Sequence, residues 1–171
     1  MNKLFKSSLL LAALCPAVAL AVPVAGQQEI TLSGSGSSDH DFNDTTMALQ
    51  GSWGTYMDDA NMWGVRQTIN ARDQSGESVK FDGSTRFFYS YHFGTGNTRP
   101  VVGVSLGAIY GEGVRNTMAA GPELGVKHWV MDNVFIQGLV EYQFLFRSGS
   151  DARDRYDDGM FFYSVGLGYN F

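Results

Sequence analysis

Large apolar side chains occupy every second position along the last eleven residues: Phe161, Tyr163, Val165, Leu167, Tyr169 and Phe171. Between them stand Phe162, Ser164, Gly166, Gly168 and Asn170, small or polar except the first. A period of two predicts a strand whose two faces meet different surroundings. Aromatics at both ends of the apolar row, with aliphatics between, point to a bilayer outside the strand rather than a core.

The same alternation runs back through the chain. Val134, Ile136, Val140, Tyr142, Phe144 and Phe146 share one face, against Gln137, Glu141, Gln143 and Arg147. Phe81, Phe87, Tyr89, Tyr91 and Phe93 oppose Lys80, Asp82, Ser84, Arg86, Ser90 and His92. Val102, Val104, Leu106 and Tyr110 oppose Gly103, Ser105 and Gly107, and Leu124, Val126 and Val130 oppose Glu123, Gly125 and Lys127. Met47, Leu49 and Trp53, then Trp63, Val65 and Ile69, mark two more strands. The Gly/Ser-rich stretch from Glu29 to Gly36 carries the weakest pattern of all.

Strands of about ten residues are long enough to cross a bilayer at a tilt near 45°. Short connections (Asp58 to Ala60, Gly94 to Thr98, Met131 and Asp132) alternate with longer ones (Ser37 to Asp44, Asp73 to Ser78, Gly111 to Thr117, Ser148 to Gly159). The expected fold is all-β: an eight-stranded antiparallel up-and-down transmembrane barrel with long loops outside and both termini in the periplasm. Two aromatic girdles follow, with Trp53, Trp63, Tyr91, Phe93, Tyr169 and Phe171 at the periplasmic rim and Tyr110, Tyr142, Phe144, Phe146, Phe161 and Tyr163 at the outer rim. His128 faces outward near the periplasmic interface, where a neutral imidazole is tolerable. Gln67, outward at mid-depth, has no account in the pattern. A soluble β-sandwich also alternates, but it shows charge on its outer face; a polar face rich in Gly and Ser suits a narrow lumen better.

At the N-terminus Lys3 and Lys6 precede an apolar run and the small-x-small sequence Ala19-Leu-Ala21, the pattern of a cleaved secretory leader. The expected division is a leader at 1–21 and a barrel domain at 22–171, with Gly26 as a second cleavage point. The apolar run is too short for a membrane anchor, and Leu14 before Cys15 does not fit lipidation. Cys15 is the single cysteine, so a processed chain has neither disulfides nor cysteine metal sites. Loss of Lys3 and Lys6 takes the net charge from −5 to −7, against a nucleic-acid role, which needs a basic face. With no long apolar run beyond the leader, insertion into lipid requires a closed barrel, the structure that satisfies every backbone group there.

The segment Gly121 to Trp129 (GPELGVKHW), the Asp132-Asn133 turn and Glu141-Tyr-Gln-Phe144 resemble the small outer-membrane β-barrel family that includes the OmpX-like and opacity-type proteins. The terminal Gly166-Leu-Gly-Tyr-Asn-Phe171 resembles that family's C-terminal assembly signal, which implies that Leu167, Tyr169 and Phe171 are read by the barrel-assembly machinery. The resemblance spans nearly all of the chain beyond the leader. It implies a fold and a location but selects no role, because such barrels share architecture while differing in function.

Candidate chemistry centres on four inward charges near mid-height: Arg66, Arg86, Glu123 and Glu141. Two cations and two anions in a narrow lumen are expected to pair, with Gln50 and Gln137 nearby, because an uncompensated buried charge costs several kcal/mol. The cluster reads first as a plug and second as a gate, since eight strands enclose a space that side chains just fill. Gly103-Val-Ser105-Leu-Gly107 matches a serine-nucleophile pattern by letter, but it sits inside an alternating strand and not at a strand-to-helix turn. Asp39-His-Asp-Phe-Asn43-Asp44 opens like a calcium loop yet lacks the Gly and Glu that complete one, leaving loose divalent bridging to lipopolysaccharide phosphates. Asp151, Asp154, Asp157 and Asp158 alternate with Arg153 and Arg155 as a solvated loop. His40, His92 and His128 are scattered, and no His-x-Ser pair meets the lipid face as a lipid A deacylase would need.

The expected protein is a monomeric outer-membrane barrel with a structural or surface-interaction role, in contact with outer-membrane lipids and lipopolysaccharide. It is expected to be no enzyme and to need no cofactor or metal. A small gated porin-like channel and a lipid A-modifying enzyme are the two alternatives.

Overall fold

A computed structural model describes residues 23–38, 44–74, 78–111, 116–146 and 159–171. The leader assigned to 1–21, Cys15, His40 and the acidic loop around Asp151 to Asp158 lie outside the described residues, as do Asp39 to Asn43.

Eight strands form: β1 (Gln28–Ser38), β2 (Asp44–Tyr56), β3 (Asn61–Gln74), β4 (Lys80–His92), β5 (Thr98–Gly111), β6 (Thr117–Trp129), β7 (Val134–Phe146) and β8 (Gly159–Asn170). Each pairs antiparallel with the next, and β8 returns to β1, closing the barrel. The Gly/Ser-rich β1, weakest in the sequence, pairs with β2 along its whole length, from Gln28↔Thr55 to Ser38↔Thr45. A strand whose only large apolar residues are Ile30 and Leu32 forms here because both its edges have partners. Its pairing with β8 is shorter: the described register runs from Glu29↔Asn170 to Gly34↔Val165 and stops.

The outer wall is the apolar one. Leu49, Ile69, Phe87, Val104, Leu124, Val165 and Leu167 are all exposed there, while Arg66, Arg86, Arg99, Glu123, Lys127 and Glu141 are buried inside. This inversion of the usual distribution is what a bilayer requires of a barrel. Aromatics gather at both ends of the wall. Trp53 meets Trp63 edge-on at 6.0 Å and Tyr91 meets Phe93 at 4.9 Å at the end with short turns. Tyr142 lies 4.7 Å from Phe161 and 4.8 Å from Phe144 at the other end.

The lumen is less polar than the sequence reading held. Tyr56, Met62, Phe88, Val101, Trp129, Phe135 and Leu139 are buried inside the barrel alongside the charges. Following the outward rows hides them, because their parity is that of the polar face. Glycine makes room for them: a Cβ at Gly168 would fall on the Phe135 ring, and one at Gly64 would meet the Phe88 ring and the Trp53 carbonyl.

At the short-turn end, Asp58 Oδ1 accepts the backbone N–H groups of Ala60 at 2.9 Å and Asn61 at 2.6 Å, fixing the β2–β3 turn. Within β6, Pro122 has no N–H to give, and the β6–β7 ladder is interrupted at Gly121 and Pro122 before resuming at Glu123↔Glu141.

Candidate functional site in the barrel lumen

Alternation turns every second side chain inward, and register then decides which inward residues share a level. Arg66 on β3 is the direct cross-strand partner of Arg86 on β4. On the far wall Glu123 of β6 partners Glu141 of β7. The two walls face each other across the lumen. Arg66 donates through Nη1 to Glu123 Oε1 at 2.5 Å and through Nη2 to Oε2 at 3.3 Å, a two-toothed contact. Its Nη1 also lies 3.6 Å from Glu141 Oε2. Arg86 donates through Nη1 to Glu141 Oε1, which takes a further bond from the Ser105 hydroxyl at 2.5 Å. All four side chains are almost completely buried. The Arg66 guanidinium also stacks over the Phe88 ring, 4.8 Å from its centre.

Gln50 accepts the Thr68 hydroxyl at 3.2 Å, above this layer. Gln137 is buried on β7, in register with Lys127. A cavity of about 20 Å³, room for about one water molecule, lies beside the layer against Gln50, Thr68, Leu139, Glu141 and Ser164.

A second charged layer sits nearer the short-turn end. Alternation turns Lys127 inward, and closure of the barrel supplies its partner. Lys127 Nζ reaches both oxygens of Glu29, at 2.6 and 2.7 Å. Tyr56 donates its hydroxyl to Glu29 Oε2 at 2.9 Å. The ammonium is also capped by the Phe135 ring at 4.8 Å and the Tyr56 ring at 5.6 Å. Beside it Arg99 lies over the Trp129 ring at 5.3 Å and donates to the Asp59 carbonyl at 2.9 Å. His92 closes the layer: its Nδ1 is 3.0 Å from the Ala60 carbonyl, and its ring is 5.3 Å from Tyr56. Alternation marks Lys127 as inward, but Glu29 lies in the weakly patterned β1, and their pairing spans the barrel and depends on closure.

Other sequence candidates fall as follows. Ser105 is a buried strand residue whose hydroxyl is committed to Glu141, so the serine-nucleophile pattern is a coincidence of letters. His128 faces outward, bonded through Nδ1 to the Thr98 hydroxyl at 2.7 Å. Ser90 and His92 are both buried in the lumen, away from the lipid face. The girdle residues Trp53, Trp63, Tyr91, Tyr110 and Tyr163 are exposed on the outer wall and Tyr142 is partly so; Leu167, Tyr169 and Phe171 form the outward row that ends β8. Gln67, unexplained by pattern, bonds on the outer wall to Thr85 and Tyr110.

An apolar wall around a lumen that holds two ion-pair layers defines the class: a small, eight-stranded transmembrane barrel. The fold is similar to the N-terminal β-barrel domain of Pseudomonas aeruginosa OprF, with a TM-score of 0.59 and 18% identity over 86% of this chain and 98% of that one. It is similar also to Neisserial surface protein A (NspA), with a TM-score of 0.57 and 17% identity over 85% of this chain and 95% of that one. No protein-family profile and no curated protein matches the sequence.

Proposed function

We propose that the protein is a monomeric outer-membrane barrel whose lumen is plugged, and whose work is done by its wall and outer loops: stiffening the membrane and contacting lipopolysaccharide or other cells. The observation that carries this reading is the pair of stacked ion-pair layers. Arg66, Arg86, Glu123 and Glu141 form one, and Lys127, Glu29 and Tyr56 the other. An ion crossing the barrel has to part both, and parting either strands a buried charge at a cost of several kcal/mol.

The rest of the reading follows from this. A leader at 1–21 sends the chain across the inner membrane. The assembly machinery reads Leu167, Tyr169 and Phe171, and the barrel inserts with both termini in the periplasm and the longer connections outside. No catalysis, cofactor or metal enters the role.

Conductance in planar bilayers tests it, with Glu141→Gln and Arg86→Gln alongside the parent protein. The expected result is an absence of steady current from all three, because the Lys127–Glu29 layer stays shut when the upper one is loosened. Steady current that changes with either variant would replace this reading with a small gated pore.

A further inference from the structure

Gln67 is a polar side chain on a wall that faces lipid, and its neighbours explain how it can be there. Gln67 Nε2 donates to the Tyr110 hydroxyl at 2.9 Å and, more weakly, to the Thr68 carbonyl at 3.3 Å. Thr85 donates its hydroxyl to Gln67 Oε1 at 2.6 Å. The Thr85 and Tyr110 hydroxyls are 2.9 Å apart. With the Thr85 proton given to Gln67, Tyr110 is the donor in that last contact. These three bonds close a ring, and with the bond to the Thr68 carbonyl they spend every side-chain donor of the three residues. What remains unspent is acceptor capacity, above all on Gln67 Oε1 and the two hydroxyl oxygens.

Register sets this ring on the floor of a trough. Gly51, Gln67, Thr85 and Ala108 are aligned across β2 to β5, all pointing outward. One step toward the long-loop end stand Leu49 and Ile69; one step the other way stand Val65, Phe87 and Leu106. Gly51, Thr85 and Ala108, with Gln67 among them, thus run over three inter-strand spacings, about 14 Å, between Val65, Phe87 and Leu106 on one side and Leu49, Ile69 and Tyr110 on the other, where β4 itself offers only Gly83. At Gly51 a Cβ would meet nothing within 4 Å, so that end of the trough is open. At the other end Tyr110 lies across Gly83, its ring 3.2 Å from where a Cβ would stand, and leans into the ring.

We propose that this trough is a lipid site. Its ligand is an acyl chain carrying a hydrogen-bond donor near its polar end: a hydroxyl on the chain, or the amide N–H that joins the chain to its headgroup. The ridges hold the chain by apolar contact, and the acceptor-rich floor selects for the donor. An ester-linked, unsubstituted chain offers acceptors to acceptors and gains nothing from the floor. In lipid no water competes for the lone pairs, so one matched donor distinguishes two otherwise similar chains. The assignment rests on the proposal that this wall faces an outer-membrane bilayer with Tyr110 at its outer interface; Gln67, at mid-depth by pattern alone, stands one register step below the Tyr110 row and bonds to its hydroxyl.

Four synthetic glucosamine lipids test it: N-linked or O-linked acyl chains, each with and without a 3-hydroxyl. The full-length protein, purified from membranes, is placed in phosphatidylethanolamine nanodiscs doped equally with the four, and retained lipid is read by native mass spectrometry. Retention of at least one donor-bearing lipid is expected to exceed that of the O-linked, unsubstituted one by about fivefold, the effect of a single hydrogen bond. The four arms tell which donor, hydroxyl or amide, is read. Gln67→Leu with Thr85→Val, both on the outer surface, is expected to abolish the preference while leaving the barrel folded. Gly51→Leu, which fills the trough, is expected to lower retention of all four. Equal retention of the four lipids by the parent protein, or a preference that survives Gln67→Leu with Thr85→Val, would overturn the proposal. Both results are independent of ion current, so a conducting barrel would overturn the plugged-lumen reading without touching this one.

Discussion

Arg66 and Arg86 are direct cross-strand partners on β3 and β4, two like charges side by side. Glu123 and Glu141 repeat the arrangement with opposite sign on β6 and β7. Like charges directly opposite one another destabilise a strand pair. Neither hairpin is therefore content alone, and each is neutralised by the other only across the lumen. The interior charges favour the closed barrel over its separate hairpins.

The two glutamates should not be equivalent. Glu141 receives Arg86, Ser105 and, at 3.6 Å, Arg66, while among the described residues Glu123 is hydrogen-bonded by Arg66 alone. Glu141→Gln is expected to cost about 3–5 kcal/mol by leaving Arg86 unpaired. Glu123→Gln is expected to cost clearly less, because Arg66 can lean to Glu141. Urea unfolding in lipid vesicles measures both, and equal losses would mean the four side chains act as one inseparable unit.

In the second layer, removing one partner of the Lys127–Glu29 pair strands the other as a buried charge, and removing both strands neither, Arg99 keeping its own contacts with Trp129 and the Asp59 carbonyl. Lys127→Met or Glu29→Gln alone is expected to lose about 3–5 kcal/mol, and the double variant to lose less than either. Unfolding midpoints of the three variants decide it; simple additivity would deny the coupling.

Gly168 and Gly121 separate two kinds of crowding. A Cβ at Gly168 falls on the Phe135 ring, a side chain that can be trimmed. A Cβ at Gly121 falls on the Tyr142 carbonyl, which cannot. Both Gly→Ala changes are expected to destabilise by about 1–3 kcal/mol. Phe135→Leu should recover much of the first loss, and no side-chain change should recover the second. The check is the unfolding midpoint of each pair.

The β1–β8 seam is expected to open first. Its described pairing ends at Gly34↔Val165, although β1 continues to Ser38 and β8 begins at Gly159. Hydrogen exchange should be faster for the amides of Ser35 to Ser38 and Phe161 to Ser164 than for Thr31 to Ser33 and Gly166 to Gly168. Uniform protection along β8 would refute this.

The Asp58 turn should be pH-dependent. The Ala60 N–H, then the Asn61 side-chain amide and backbone N–H, hold its carboxyl below the ordinary value of 3.8. A depressed folded value means stability that is full above 3.8 and is lost as pH falls through the depressed one. Asp58→Ala should therefore unfold earlier than the parent at pH 7, and the gap should close only at pH below 3.8. A gap unchanged down to pH 2 would show the bonds to be indifferent to protonation.

Much of this was legible in the chain because a strand's alternation is a local property. Phe161 to Phe171 announces two faces, and the apolar face carries aromatics where a bilayer has interfaces. The same reasoning turned Arg66, Arg86, Glu123 and Glu141 inward without any knowledge of partners. The sequence by itself thus determined strand count, facing and the kind of solvent outside. Tertiary structure alone decided who meets whom: Arg66 with Glu123 across 57 positions, and Lys127 with Glu29 across 98. It decided also that Gln67 is quieted by Thr85 and Tyr110, and that Tyr56, Phe88 and Phe135 pack among the lumen charges. Contacts of this kind depend on strand register and on closure of β8 against β1. Those are properties of the whole barrel, and no stretch of sequence short enough to read as a pattern contains them.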